Sequence, residues 1–239
     1  MPAAAPASPA EEFAVLLRGE VDSIAAWTES TQPGRLGLHA LIIVLGAGLY
    51  GAAMGWARAP LQAWYTAVKL PLIMLLTATG NALLNAMLAP LLGLSITFRQ
   101  SFLAMVMSFS IESAILGSFS PVVAFLIWNA PPLTAAAQLD GVTYSALRLL
   151  IVVVIGFAGT VANLRLWQLL VRWGGDTAVA GRVLFAWLAG NLLLGSQLAW
   201  ILRPFIGSPL LPVEFVRDTA LQGNFFENAA QALLQIFHS

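Results

Sequence analysis

Apolar residues in this chain run in long, nearly unbroken stretches, and polar residues gather in the gaps between them. Residues 36–57 make the first such run, long enough to cross a bilayer core, since a helical span takes roughly 20 residues. A second run opens at Lys69-Leu70-Pro71 and continues to about residue 92, and a third covers about 98–116. A long run at 143–173 and a last one at 182–202 follow. The breaks carry turn chemistry: Thr31-Gln32-Pro33-Gly34, Arg58-Ala59-Pro60, Gly93-Leu94-Ser95, Asp140-Gly141, Gly174-Gly175-Asp176 and Arg203-Pro204. Residues 61–68, with Trp64 and Tyr65, read as an interfacial stretch ahead of the second span.

Gly117-Ser118-Phe119-Ser120-Pro121 predicts a further break, because its polar and turn-forming residues suit a loop better than a helix centre. The apolar run after it, 122–128, reaches only about halfway across a hydrocarbon core at the helical rise. It reads as a half-helix or re-entrant hairpin, or as a helix kinked at Pro131-Pro132 and continuing to residue 139. Irregular backbone at that depth needs protein or water to cover it.

The two ends differ from the middle. Residues 1–10 are rich in Ala, Pro and Ser and read as a disordered lead-in without the features of a signal peptide. In residues 11–30, Phe13, Leu16, Leu17, Val21, Ile24 and Trp27 recur at steps of three and four, opposite Glu12, Arg18, Glu20 and Asp22. Such a helix lies flat at the headgroups or packs its apolar face on the protein's own helix ends. Residues 204–239 make a Pro/Gly connector and a second amphipathic helix over 224–237. The chain thus reads as an all-α, polytopic transmembrane helix bundle over residues 36–203. Five to six helices are membrane-embedded, and amphipathic N- and C-terminal helices flank them.

Composition strengthens this reading. Of 239 residues, 59% are hydrophobic and 9% charged, against about 25% charged in a typical soluble domain. The mean hydropathy is +0.83. Lipid is the solvent such a surface can face. The formal net charge is zero, which leaves no basic field to attract nucleic acid. Without Cys, and with only His39 and His238, the chain offers no disulfide, thiolate or multi-His metal centre, and no cofactor is implied. No HExxH, GxSxG, Walker A or GxGxxG motif occurs, so no catalytic residue is assigned. Lys and Arg divide six to five between the two sides whether five or six crossings are counted, too even to orient the bundle.

Glu112 is the sharpest polar feature, a carboxylate in the middle of the third apolar run. On insertion scales a charge there costs at least about 2.5–3.5 kcal/mol, so it must be paired, hydrated or protonated. Ser108 lies one turn earlier on the same face. Asn81 and Asn85 share a face of the second span, and Asn191 and Gln197 lie in the last one. These six residues either line a polar cavity or bond across helices and fix their packing. Lys69 can snorkel to the interface or pair with Glu112. Gly51 and Gly55, one turn apart, make a small-residue packing face for a neighbouring helix or a second copy.

The layout of residues 60–202 resembles the Yip family of small multi-helix membrane proteins. The matched features are Pro60 to Ala67 leading into Lys69-Leu70-Pro71, the closely spaced helices and the polar turn at Gly117 to Pro121. The resemblance implies a membrane-organising role and, through the family's bacterial members, a bacterial inner membrane. The expected function is therefore a non-enzymatic scaffold or assembly subunit that contacts lipid, other membrane proteins or a second copy. The alternative is a small transporter or channel component built on Glu112.

Overall fold

The computed structural model describes residues 8–18, 20–29, 33–130, 142–207 and 211–238, and the regular structure among them is helical throughout. Two short helices, α1 (Pro9–Arg18) and α2 (Val21–Glu29), precede five long ones: α3 (Pro33–Trp56), α4 (Pro60–Leu91), α5 (Phe98–Asn129), α6 (Val142–Gly174) and α7 (Thr177–Leu202). A last helix, α8 (Phe225–His238), follows an irregular connector. All five long helices are apolar enough to cross a bilayer, and the chain is an integral membrane protein.

The centre of the bundle is α3, which packs against both α4 and α5. Its glycines allow this. A Cβ on Gly46 would lie 2.1 Å from the Ser113 carbonyl oxygen of α5, and one on Gly117 of α5 would lie 2.9 Å from Gly46 Cα. On the α4 side, a Cβ on Gly51 or Gly55 would come within 2.5 Å of the carbonyl oxygen of Thr66 or Gln62. The Gly51 and Gly55 face is thus occupied by α4 of the same chain. Backbone contact of this kind raises the dispersion and Cα–H···O terms that hold helices together in lipid, where no hydrophobic force does so. Around this trio, α6 packs on α5, α7 packs on α4, and α6 meets α7 more loosely.

Two expected interruptions are absent. α4 runs unbroken from Pro60 through Pro71, so the stretch 61–68 belongs to the first turns of a spanning helix. The Ala67 carbonyl that Pro71 leaves without a donor lies against Gly48 of α3, where a Cβ would sit 3.3 Å from that oxygen. α5 likewise passes straight through Gly117 to Pro121 and ends at Asn129. Pro121 deprives the Gly117 carbonyl of its helical donor, and the Ser120 hydroxyl donates to it instead at 2.7 Å. Residues 122–128 are therefore the last turns of a full span, not a half-helix or hairpin. The continuation to residue 139 falls outside the described residues.

The turns follow their chemistry. Gly93, at φ +96°, closes α4, with Leu94 N donating to Ala89 O at 2.9 Å. Thr97 and Gln100 then cap α5 reciprocally. Gly175, at φ +66°, ends α6, and Asp176 caps α7 through Ala178 N at 2.8 Å.

The single amphipathic helix expected over 11–30 is two helices. Their buried Val15, Ile24 and Trp27 face the bundle, where α2 packs on α6 and α5 and α1 packs on α5. Glu12 accepts from Arg35 of α3 at 2.7 Å, and Asp22 accepts from Arg172 of α6 at 2.8 Å. Residues 1–7 of the expected disordered lead-in lie outside the described residues, and Pro9 and Ala10 already belong to α1.

The glycine contacts yield a test. Gly46→Ala drives a methyl into the α5 backbone and should lower stability by about 3 kcal/mol. Gly156→Ala, where a Cβ meets nothing within 4 Å, should stay within about 0.5 kcal/mol of the parent. Denaturation in mild detergent measures both, and equal effects would remove the α3–α5 backbone contact as the reason for the glycine.

Candidate functional site

The amides of α4 and α7 meet where α4, α5 and α7 converge. Asn81 is fully buried and donates to the Trp187 carbonyl at 3.0 Å and to Asn191 Oδ1 at 2.6 Å, with Met105 Sδ of α5 3.7 Å away. Gly190 is what lets the amide in, because a Cβ there would lie 2.1 Å from Asn81 Oδ1. One turn on, the fully buried Ser101 of α5 donates to the Ala82 carbonyl at 3.2 Å. Asn85 is also fully buried, and neither its Nδ2 nor its Oδ1 has a partner among the described residues. A buried amide left open is costly in hydrocarbon.

The remaining expected site residues are placed elsewhere. Gln197 lies near the end of α7 and accepts from the Phe225 backbone N–H at 3.3 Å, so it caps the start of α8. Ser108 lines a cavity of only about 20 Å³ between α5 and α6, with Ile24 and Arg165. Glu112 is half-buried between α5 and α6, its Oε1 3.9 Å from where a Cβ on Gly159 would be. No hydrogen bond or ion pair joins the Glu112 carboxylate to any described residue, and none joins it to the amides. The six residues thus form one bonded pair, Asn81 and Asn191, one open amide and three separate positions.

Beside Glu112 the loose contact of α6 and α7 opens a lateral groove of about 700 Å³. Gly156, Gly159, Thr160 and Asn163 line it on α6, Leu184 and Leu188 on α7. Thr160 and Asn163 return their side chains to the α6 carbonyls of Gly156 and Gly159, at 2.7 Å each. The groove wall is thereby nearly apolar, and the Glu112 carboxyl stands beside Gly159 of that wall without a bonded partner among the described residues.

A second polar cluster was not anticipated. Lys69 neither snorkels nor meets Glu112. It is fully buried, and its Nζ donates to the carbonyls of Pro204 at 3.0 Å and Glu214 at 3.4 Å. Gln62 donates to the carbonyls of Pro204 and Phe205 at 2.9 and 3.0 Å, and Thr66 to that of Phe205 at 2.7 Å. The signal was in the spacing: Gln62, Thr66 and Lys69 stand at i, i+4 and i+7, one helical face. What the spacing could not supply was the partner, a segment some 140 residues later.

The described residues hold no group of three or more His, Asp or Glu able to ligate a metal ion. Compared with known proteins, the chain matches no family model, no curated protein and no solved structure.

The Asn81 pocket predicts a compensated pair. Gly190→Ala should cost about 1–3 kcal/mol because its methyl displaces the Asn81 amide. In an Asn81→Ala background the same change should be nearly neutral. A double-mutant cycle in detergent reads the coupling, and additive effects would show that Asn81 does not depend on Gly190 for its place.

Proposed function

We propose that this protein is a non-enzymatic assembly subunit of a membrane complex, and that its α6–α7 groove receives a membrane-spanning segment of a partner. The observation that carries this reading is the groove itself, about 700 Å³, glycine-lined and open at the side of the bundle. Gly156 and Gly159 leave the α6 backbone free for close approach, the geometry in which helices associate in lipid. Glu112 beside it offers a carboxylate to a polar or cationic group on the incoming segment. The other buried amides and hydroxyls support a packing role, since Asn81, Ser101 and Ser110 bond across helix boundaries.

One observation favours a second reading. Glu112 has no bonded partner among the described residues, which also suits an ion or proton site in a small transporter.

Two measurements separate them. A Gly159→Leu side chain fills the groove at a position where a Cβ meets only Glu112 Oε1, at 3.9 Å, so the bundle should still fold. Co-purification from native membranes in mild detergent should then lose a partner that the parent retains. A parent chain that emerges as a partner-free monomer sinks the assembly reading. For transport, Glu112→Gln should abolish ion flux in proteoliposomes while leaving the fold intact, and unchanged flux eliminates that role.

A further inference from the structure

One end of the bundle gathers the C-terminus of α3, the N-terminus of α4, the C-termini of α5 and α7 and the connector to α8. Trp56, Trp64 and Trp128 stand exposed around it. Exposed Trp at helix ends marks the level of the lipid headgroups. The connector folds back onto α4 there, held by the bonds from Gln62, Thr66 and Lys69.

This fold-back brings cations together. Lys69 Nζ is bonded to the carbonyl of Pro204, the residue after Arg203, and to that of Glu214, three residues before Arg217. Arg217 lies within Coulombic range of both Lys69 and Arg203. Arg203 stacks on Trp200, and Tyr65 and Phe215 meet edge to face beside Lys69. Glu214 and Asp218 lie in the same connector, but no ion pair joins a carboxylate to Lys69, Arg203 or Arg217 among the described residues. Neither Arg203 nor Arg217 makes a hydrogen bond or ion pair with any described residue. Three guanidinium nitrogens, Arg203 Nε and Arg217 Nε and Nη2, are nonetheless buried from solvent without a partner. Burial first, and then the neighbouring Arg217, lower the pKa of Arg203 from its ordinary value.

Buried charges of like sign are tolerated when a counter-charge joins them, and a buried guanidinium donor left open is costly. A cation would relieve neither cost, and a neutral acceptor would satisfy the open donors but leave the like charges unopposed. A phosphate group would: its oxygens accept from the planar forks of two arginines, and its charge offsets the cluster. Basic pockets between membrane helices at headgroup level take phosphate-bearing headgroups in the same way. We infer that Arg203 and Arg217, backed by Lys69, form a binding site for a phosphate group at this end of the bundle. The group belongs either to an anionic phospholipid in the surrounding leaflet or to a soluble phosphate compound.

The test uses the full chain purified in detergent, as the parent and as Arg203→Gln, Arg217→Gln and Arg182→Gln. The last removes an exposed charge at the opposite end, from the start of α7. Native mass spectrometry reads retention of phosphatidylglycerol against phosphatidylcholine, and thermal unfolding reads the response to inorganic phosphate and pyrophosphate. With a lipid source, the parent should prefer phosphatidylglycerol by about tenfold, the scale of one charge-assisted bond. That preference should disappear in Arg203→Gln and Arg217→Gln and persist in Arg182→Gln. With a soluble source, phosphate or pyrophosphate should raise the parent's melting temperature and not that of the two site variants, with no lipid preference. A parent that discriminates neither lipid nor responds to either anion overturns the proposal, whatever the variants do. So does an Arg217→Gln protein that binds as the parent does.

Discussion

The approach of α3 to its two neighbours is the contact on which the rest of the bundle depends. Four glycines along α3 remove the side chains that would hold α4 and α5 away, and carbonyl oxygens of both partners fill the space. In hydrocarbon there is no water to expel, so helix association rests on contact area and short-range attraction. Leu-faced helices leave a gap at the crossing, while Gly-faced helices close it. With α3 fixed, α5 carries α6 and α4 carries α7, and the outer pair never closes to the same degree. The lateral groove between α6 and α7 is what remains when only one helix of five has the ridge that pulls neighbours to backbone contact.

Much of the fold was legible because the bilayer imposes one rule on every span. Apolar length pointed to five or six embedded helices, of which the structure has five, and the breaks read at Gly93 and at Gly175-Asp176 are helix ends with the expected backbone and capping geometry. The misreading at Gly117 to Pro121 came from applying a rule of aqueous loops inside a membrane. A Ser hydroxyl one residue before a Pro can satisfy the carbonyl that the Pro leaves open, so a sequence that breaks a helix in water continues one in lipid. The split at 11–30 was missed for a simpler reason: apolar periodicity runs through a short interruption without changing phase.

The polar residues were legible as exceptions but not as partners. Asn81 and Asn191 do meet, whereas Gln197 and Ser108 serve separate local needs. Which amides share a contact depends on the rotation and depth of each helix, and periodicity specifies neither. Lys69 shows the limit most clearly. Its place near a helix start suggested a side chain reaching outward, and its actual acceptors are carbonyls of the connector after α7.

The N-terminal helices have a consequence for how the molecule is made. α1 and α2 precede the spans they cover in the chain: they pack on α5 and α6, Glu12 pairs with Arg35 of α3, and Asp22 pairs with Arg172 of α6. Trp27 lies over Arg35 of α3 and Ile24 beside Met107 and Ile111 of α5, while the Leu166 and Leu169 side of the Ile24 seat comes only with α6. The seat of the amphipathic segment is therefore assembled from parts that appear at different times, α3 and α5 before α6.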